Sequence, residues 1–221
     1  MTSRWLSVLL VFTWAAECAV TLQAQQAKQP PEQSSAGRAR EPRLLLRTNA
    51  FKDAARLPLK YTCWADDHQK VSPPLQWSHT PKGTQSFTLM LTAPQNLHVS
   101  LRPDIIWVLW NIPASTTEIP EGLPQGAELP DGSRQVVTPL SSRSRDEGKS
   151  EEKIVGYNPP CAPAGAGELH YEFKLFALDA KLTLPSNVTG EDVLKAIDGH
   201  ILGASVYYAT METMSGDPAP R

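Results

Sequence analysis

Asp104–Ile112 (DIIWVLWNI) is the stretch on which the fold class turns. Its aliphatic, β-branched and aromatic residues run almost unbroken to Pro113, which reads as a strand covered on both faces. Ser86–Thr92 (SFTLMLT) has the same character, bounded by proline and polar clusters. Tyr171–Leu178 alternates instead: Tyr171, Phe173 and Leu175 fall on one face, Glu172 and Lys174 on the other. Between these strands and the C-terminus lies one good helix. Thr189 and Asp192 form a capping-box-like pair, Val193, Leu194 and Ile197 share a face, and Gly199 is placed to end it. Ile201–Thr210 follows as a further strand or a short helix. No internal repeat is visible, and the pattern as a whole predicts a mostly β chain.

Composition narrows the possibilities. Of 221 residues, 41% are hydrophobic, which excludes wholesale disorder. A formal net charge of −2 gives no basic face with which to hold nucleic acid, so no nucleic-acid partner is expected. Twenty prolines against thirteen glycines favour short strands and many turns over a helical bundle.

Residues 1–24 read as an export signal. One charge in Met1–Arg4 is followed by the uncharged run Trp5–Ala16, too short for the ~20 residues that span a bilayer. Cleavage is expected at Ala24, with Cys18–Ala19 as the other site; a lipid-anchored Cys18 is disfavoured by Glu17 before it. The mature chain then has no transmembrane segment and is periplasmic or extracellular. Residues 25–42 are glutamine- and proline-rich and read as a flexible polar linker. The folded domain is expected over 43–214, long enough for one core, and 215–221 form a polar tail. Losing the leader leaves Cys63 and Cys161, and two cysteines in an exported chain suggest a disulfide; two separate buried thiols are the alternative. The insertion 143–153 balances four bases with four acids and reads as a solvated surface loop rather than a docking element.

Three stretches together resemble the phosphatidylethanolamine-binding protein (PEBP) family, in particular its bacterial and archaeal Raf-kinase-inhibitor-like branch. The first begins at Thr48 and includes PLKYTC (58–63), SPPLQWS (72–78) and PKGTQS (81–86). The second joins WVLWNIP (107–113) to EGLPQGAELPDG (121–132). The third runs from GYNPPCAP (156–163) through YEFKLFALD (171–179) to the helix and Gly199–His200. The resemblance implies a PEBP-like fold of two antiparallel sheets with one or two C-terminal helices. Cys63 and Cys161 also match cysteines common in this branch, which supports their pairing.

The resemblance further implies a small anion pocket, and here the chain departs from the pattern. The family's Asp-Pro-Asp segment becomes Ala93-Pro94-Gln95, and the residue before Trp107 is Ile106 where the family has histidine. The turn keeps Pro160 and Pro163 but carries Pro159 in place of its leading glycine. Counting back from the retained Tyr171, the second family histidine falls on Leu169, with His170 beside it. A one-residue slip would bring His170 into the pocket, and His98 folding back is another replacement. Two carboxylates and two imidazoles are otherwise gone, and holding an anion without them costs several kcal/mol. The family pocket positions here are therefore Pro94, Gln95, Ile106, Trp107, Pro160, Pro163, His170 and Tyr171.

Other constellations carry little. Asp66-Asp67-His68 resembles a metal corner but has no second cluster at ligand spacing, so no metal or other cofactor is expected. No nucleophile motif is present, and no enzymatic activity is expected. Asn187-Val188-Thr189 fits a glycosylation sequon but overlaps the helix cap. Trp64, Trp77, Trp107 and Trp110 are assigned to packing, and His200 to hydrogen bonds with backbone groups. The expected function is that of an exported, non-enzymatic binding protein with a degenerate anion pocket, recognising a protein or an apolar ligand. A phosphate head-group binder with a remodelled pocket and an inhibitor of an envelope protease or hydrolase are the alternatives. Ligand, partner and oligomeric state are not legible.

Overall fold

Both long apolar runs are central strands. In the computed structural model, which describes residues 43–65, 71–93, 104–138, 154–162 and 167–212, Ser86–Thr92 forms β4 and is buried along its entire length. Ile105–Pro113 forms β5 beside it. The alternating segment is β10 (Glu168–Leu178), and Ile201–Glu212 is strand β11 rather than a helix. The short strands are β1 (Leu45–Arg47), β2 (Ala55–Arg56), β3 (Leu75–Ser78), β6 (Glu118–Ile119), β7 (Arg134–Gln135), β8 (Val137–Thr138) and β9 (Ile154–Val155).

These make a six-stranded sheet in the order β2-β11-β10-β4-β5-β7, a three-stranded sheet β1-β3-β6, and a two-stranded pair β8-β9. All pairings are antiparallel except β2 on β11, which is parallel and only two residues long. One face of the large sheet, with Phe87, Leu89, Leu91, Phe173 and Leu175, packs on Leu46, Leu75, Trp77 and Ile119 of the small sheet. This is the main core of a two-sheet sandwich. The opposite face, with Met90, Val108, Trp110 and Leu178, packs on the helix α1 (Gly190–Ala196).

The capping box of α1 forms as the sequence indicates: the Asp192 amide donates to Thr189 Oγ1 (3.2 Å), and the Thr189 amide donates to Asp192 Oδ2 (3.0 Å). Gly199 adopts φ +80°, the conformation that favours glycine past a helix end. The apolar face is narrower than expected. Val193 and Ile197 are buried, but Leu194 is 46% exposed, because its position turns it away from the sheet. Gly190 is needed where α1 meets β5: a Cβ there would lie 2.8 Å from Cγ2 of Ile105. His200 bonds through its backbone to Ile197 and Asp179, but its ring pairs with the Asp179 carboxylate at 2.8 Å, not with a backbone group.

The leader, the linker and the tail lie outside the described residues. So do Asp66-Asp67-His68, Pro94, Gln95, His98, the insertion 143–153 and Pro163. Among the described residues no helix is long and apolar enough to cross a membrane.

Candidate functional site

The site forms where β4, β5 and β10 reach one end of the large sheet. Leu91 pairs with Trp107 and Thr92 with Ile105, so Ile106 is the extra residue of a bulge. The bulge lays Ile106, half-buried, against the main core beside Trp107, which is fully buried. Ala93 leaves β4 at the same end and is likewise packed on this core.

Trp107 is held on two sides. Its Nε1 donates to Oε1 of Gln135 at 2.9 Å, and its ring meets Tyr157 edge-on at 5.2 Å. Gln135 then donates through Nε2 to the carbonyls of Pro124 and Gly126, both at 2.9 Å. One buried amide thus satisfies an indole and pins the glycine-rich loop to β5. Nothing in the sequence singled out Gln135 or Tyr157.

A second wall comes from the segment before Cys63. Cys63 and Cys161 are joined as a disulfide with Cα atoms 5.2 Å apart. The Cys63 amide donates to the Pro160 carbonyl (3.0 Å), and Tyr157 Oη donates to the carbonyl of Tyr61 (2.6 Å). These bonds fix the turn containing the buried Pro160. Tyr61 in turn donates its hydroxyl to Glu121 (2.7 Å), which also receives Lys60 Nζ (2.9 Å). Hydrogen bonds from Tyr61 and then Lys60 hold the Glu121 carboxyl below its ordinary pKa. Its charge is therefore committed to a local pair. Trp64, next to Cys63, packs partly against the core, and its indole nitrogen is buried with no hydrogen-bond partner among the described residues.

Strand parity places the remaining residues. Tyr171 is 2% exposed on the core face of β10. Burial holds its phenol protonated far above the ordinary range, and a backbone hydrogen bond from Cys161 opposes that only in part. Leu169 shares this face and packs on the core. His170 lies on the other face, exposed, with Nε2 3.4 Å from Glu168. Ile106, Trp107, Leu169 and Tyr171 thus share the main core at this end of the large sheet, Pro160 is held by the Cys63 amide in the turn before Cys161, and His170 is set apart on the other face. Among the described residues no cluster of three or more histidines, cysteines and carboxylates has the arrangement to hold a metal ion.

A groove of about 540 Å³ beside α1, lined by Leu184, Pro185, Val188, Lys195 and Ala196 among others, lies elsewhere. It borders the second core, on the opposite face of the large sheet.

Comparison with known proteins agrees with this architecture. The chain is 37% identical over 161 residues to a UPF0098 protein of Methanothermobacter thermautotrophicus, covering 72% of this chain and 91% of that one. It is 33% identical to a UPF0098 protein of Aquifex aeolicus over 70% of this chain and 80% of that one. A crystal structure described as a phosphatidylethanolamine-binding protein homologue from Chlamydia trachomatis superposes with a TM-score of 0.62 at 26% identity, covering 78% and 99% of the two chains. The fold is also that of E. coli YbcL, described as a member of the mammalian PEBP family (TM-score 0.63, 24% identity, 78% and 100% covered). The sequence model of the phosphatidylethanolamine-binding protein family matches residues 47–212, and with the two-sheet fold just described this chain belongs to that family.

Proposed function

We propose that the chain is an exported, non-enzymatic binding protein whose family anion pocket has become an apolar recognition site. The observation that carries this reading is Leu169 on the core face of β10 beside Tyr171, with Ile106 beside Trp107. These aliphatic side chains stand where the family resemblance expects imidazoles. Each imidazole exchanged for an aliphatic side chain removes a donor from an anion and adds surface that favours an uncharged, apolar guest. Export is supported by the Cys63–Cys161 disulfide, a bond that persists in oxidising compartments. The absence of a membrane-crossing helix among the described residues is compatible with it.

The test is a fluorescence titration of the full chain with N-phenyl-1-naphthylamine, an uncharged apolar probe. Saturable binding in the micromolar range, weakened about tenfold by Leu169→Asp, is expected. No saturable binding, or binding indifferent to Leu169→Asp in a folded variant, overturns the apolar reading.

A further inference from the structure

In the two main sheets the short strands β1, β2, β6 and β7 are two or three residues long, and each carries a charged residue: Arg47, Arg56, Glu118 and Arg134. Short, charged strands are how native sheets avoid joining edge to edge. β11 differs in length, charge and exposure. It has twelve residues, none charged from Ile201 to Met211, and β2 pairs with it only at Ala209 and Thr210. Of the six large apolar side chains exposed among the described residues, four lie on this strand: Ile201, Leu202, Val206 and Tyr208. Gathered on one strand, they form a patch rather than the usual scatter.

Parity along β11 fixes which backbone groups face outward. On the β2 side, away from β10, the Tyr208 carbonyl receives the Ala54 amide at 3.1 Å and the Tyr208 amide donates to Asp53 Oδ1 at 2.8 Å. The register with β10 is unbroken from Ala204 to Tyr208, so the N–H and C=O groups of Ala204 and Val206 point to that same side. Among the described residues neither has a partner there. Tyr207 belongs to the main core, so the side chains of Ala204 and Val206 lie on the opposite face, beside Phe176 and Lys174 of β10. Lys174 is paired with Glu172 at 2.6 Å, which leaves this surface locally neutral as well as apolar.

A neutral strand with free outward groups fits a second strand that is likewise neutral. The chain's own segment 25–42, rich in glutamine, proline and charge, offers none. Another β11 does, and identical strands pair antiparallel about a two-fold axis with every contact made twice. We infer that the chain forms a homodimer through β11. Ala204 of one copy and Val206 of the other exchange their N–H and C=O bonds, which centres the axis on Ser205 and joins the two large sheets into one. The seam stops at Tyr208, whose outward groups are already bonded. Val206 packs on Ala204 across it, flanked by Leu202 and Tyr208, and no like charges meet. The inference is independent of the ligand reading above.

Sedimentation velocity on the full chain over a range of concentrations tests it. So short a seam is expected to give a reversible dimer with a dissociation constant of about 1–100 µM, since small interfaces are weak. Val206→Lys puts a charge on the seam and should weaken dimerisation about tenfold or more. Leu194→Lys, at a similarly exposed apolar residue on α1, should leave it unchanged. Ser205→Cys sets two thiols opposite each other on the axis, where a non-hydrogen-bonded pair has Cα atoms about 4.5 Å apart, within disulfide range. That variant, and not the parent chain, should give a covalent dimer on non-reducing electrophoresis after mild oxidation. A chain that stays monomeric throughout overturns the inference. So does association indifferent to Val206→Lys, whether through the leader 1–24 or another surface, and so does an equal loss from Leu194→Lys, which marks non-specific contact. Should Val206→Lys not fold, as judged by near-ultraviolet circular dichroism, the Ser205→Cys cross-link decides alone, and its absence overturns the inference.

Discussion

The hydroxyl of Tyr157 donates to the backbone carbonyl of Tyr61, 96 residues earlier in the chain, at 2.6 Å and out of contact with water. Together with the disulfide and the Cys63–Pro160 bond, it ties the segment leading to Cys63 to the proline turn. Tyr157→Phe leaves the Tyr61 carbonyl buried and unpaired, and should lower stability by about 1–3 kcal/mol. Urea unfolding of the two proteins checks this. Equal midpoints would mean that the carbonyl finds water.

The disulfide closes a long loop, with its cysteines 98 residues apart. Constraining that loop in the unfolded chain is worth about 4–5 kcal/mol in the chain-entropy model. Replacing both cysteines by serine should therefore lower stability by several kcal/mol. A loss below about 1 kcal/mol would show that the hydrogen bonds alone hold the turn and that the loop is already restricted when unfolded.

Acid sensitivity should come from two carboxylates. Glu121 is held low by Tyr61 and Lys60, and Asp192 by the backbone and hydroxyl of Thr189. A depressed native pKa means that their stabilisation is complete above the ordinary carboxylate value of about 4 and is lost as the pH falls through the native values. The combined variant Glu121→Gln and Asp192→Asn should flatten the acid limb of a stability–pH curve; an unchanged limb contradicts the assignment. At the alkaline end burial raises Tyr157 and Tyr171. Their contribution is intact below the ordinary phenol value of about 10 and is lost as the pH rises beyond it.

Gly190 opposes helix propensity to packing. Alanine is worth up to about 1 kcal/mol more than glycine within a helix. Here, however, its Cβ would come within 2.8 Å of Ile105, a branched side chain fixed in β5. Gly190→Ala should destabilise by about 1 kcal/mol or more, as overpacking does. A gain in melting temperature would show that α1 slides freely on the sheet.

How much of the fold and the site is legible in the sequence depends on which physics governs each residue. The central strands and the capping box are readable because burial on both faces and local hydrogen bonding leave marks within a few residues. Leu194 departs from expectation because its apolar character matches the buried face while its angular position does not. The two-residue β2 and its parallel pairing with β11 leave no periodic signal. At the site, the alternation through Tyr171, Phe173 and Leu175 already places Leu169 on the core face, so parity in a strand is sufficient to set His170 apart. Gln135 is different. A polar residue becomes structural only when tertiary contacts surround it, and nothing beside it in sequence announces Trp107, Pro124 or Gly126 as partners.

The central claim is that this scaffold has lost its grip on anions. Micromolar and millimolar binding differ by about 4 kcal/mol, which is the worth of two or so charge-assisted hydrogen bonds. Calorimetric titration of phosphoethanolamine into the full chain tests the claim directly. A dissociation constant in the millimolar range or weaker is predicted, and micromolar binding would contradict it.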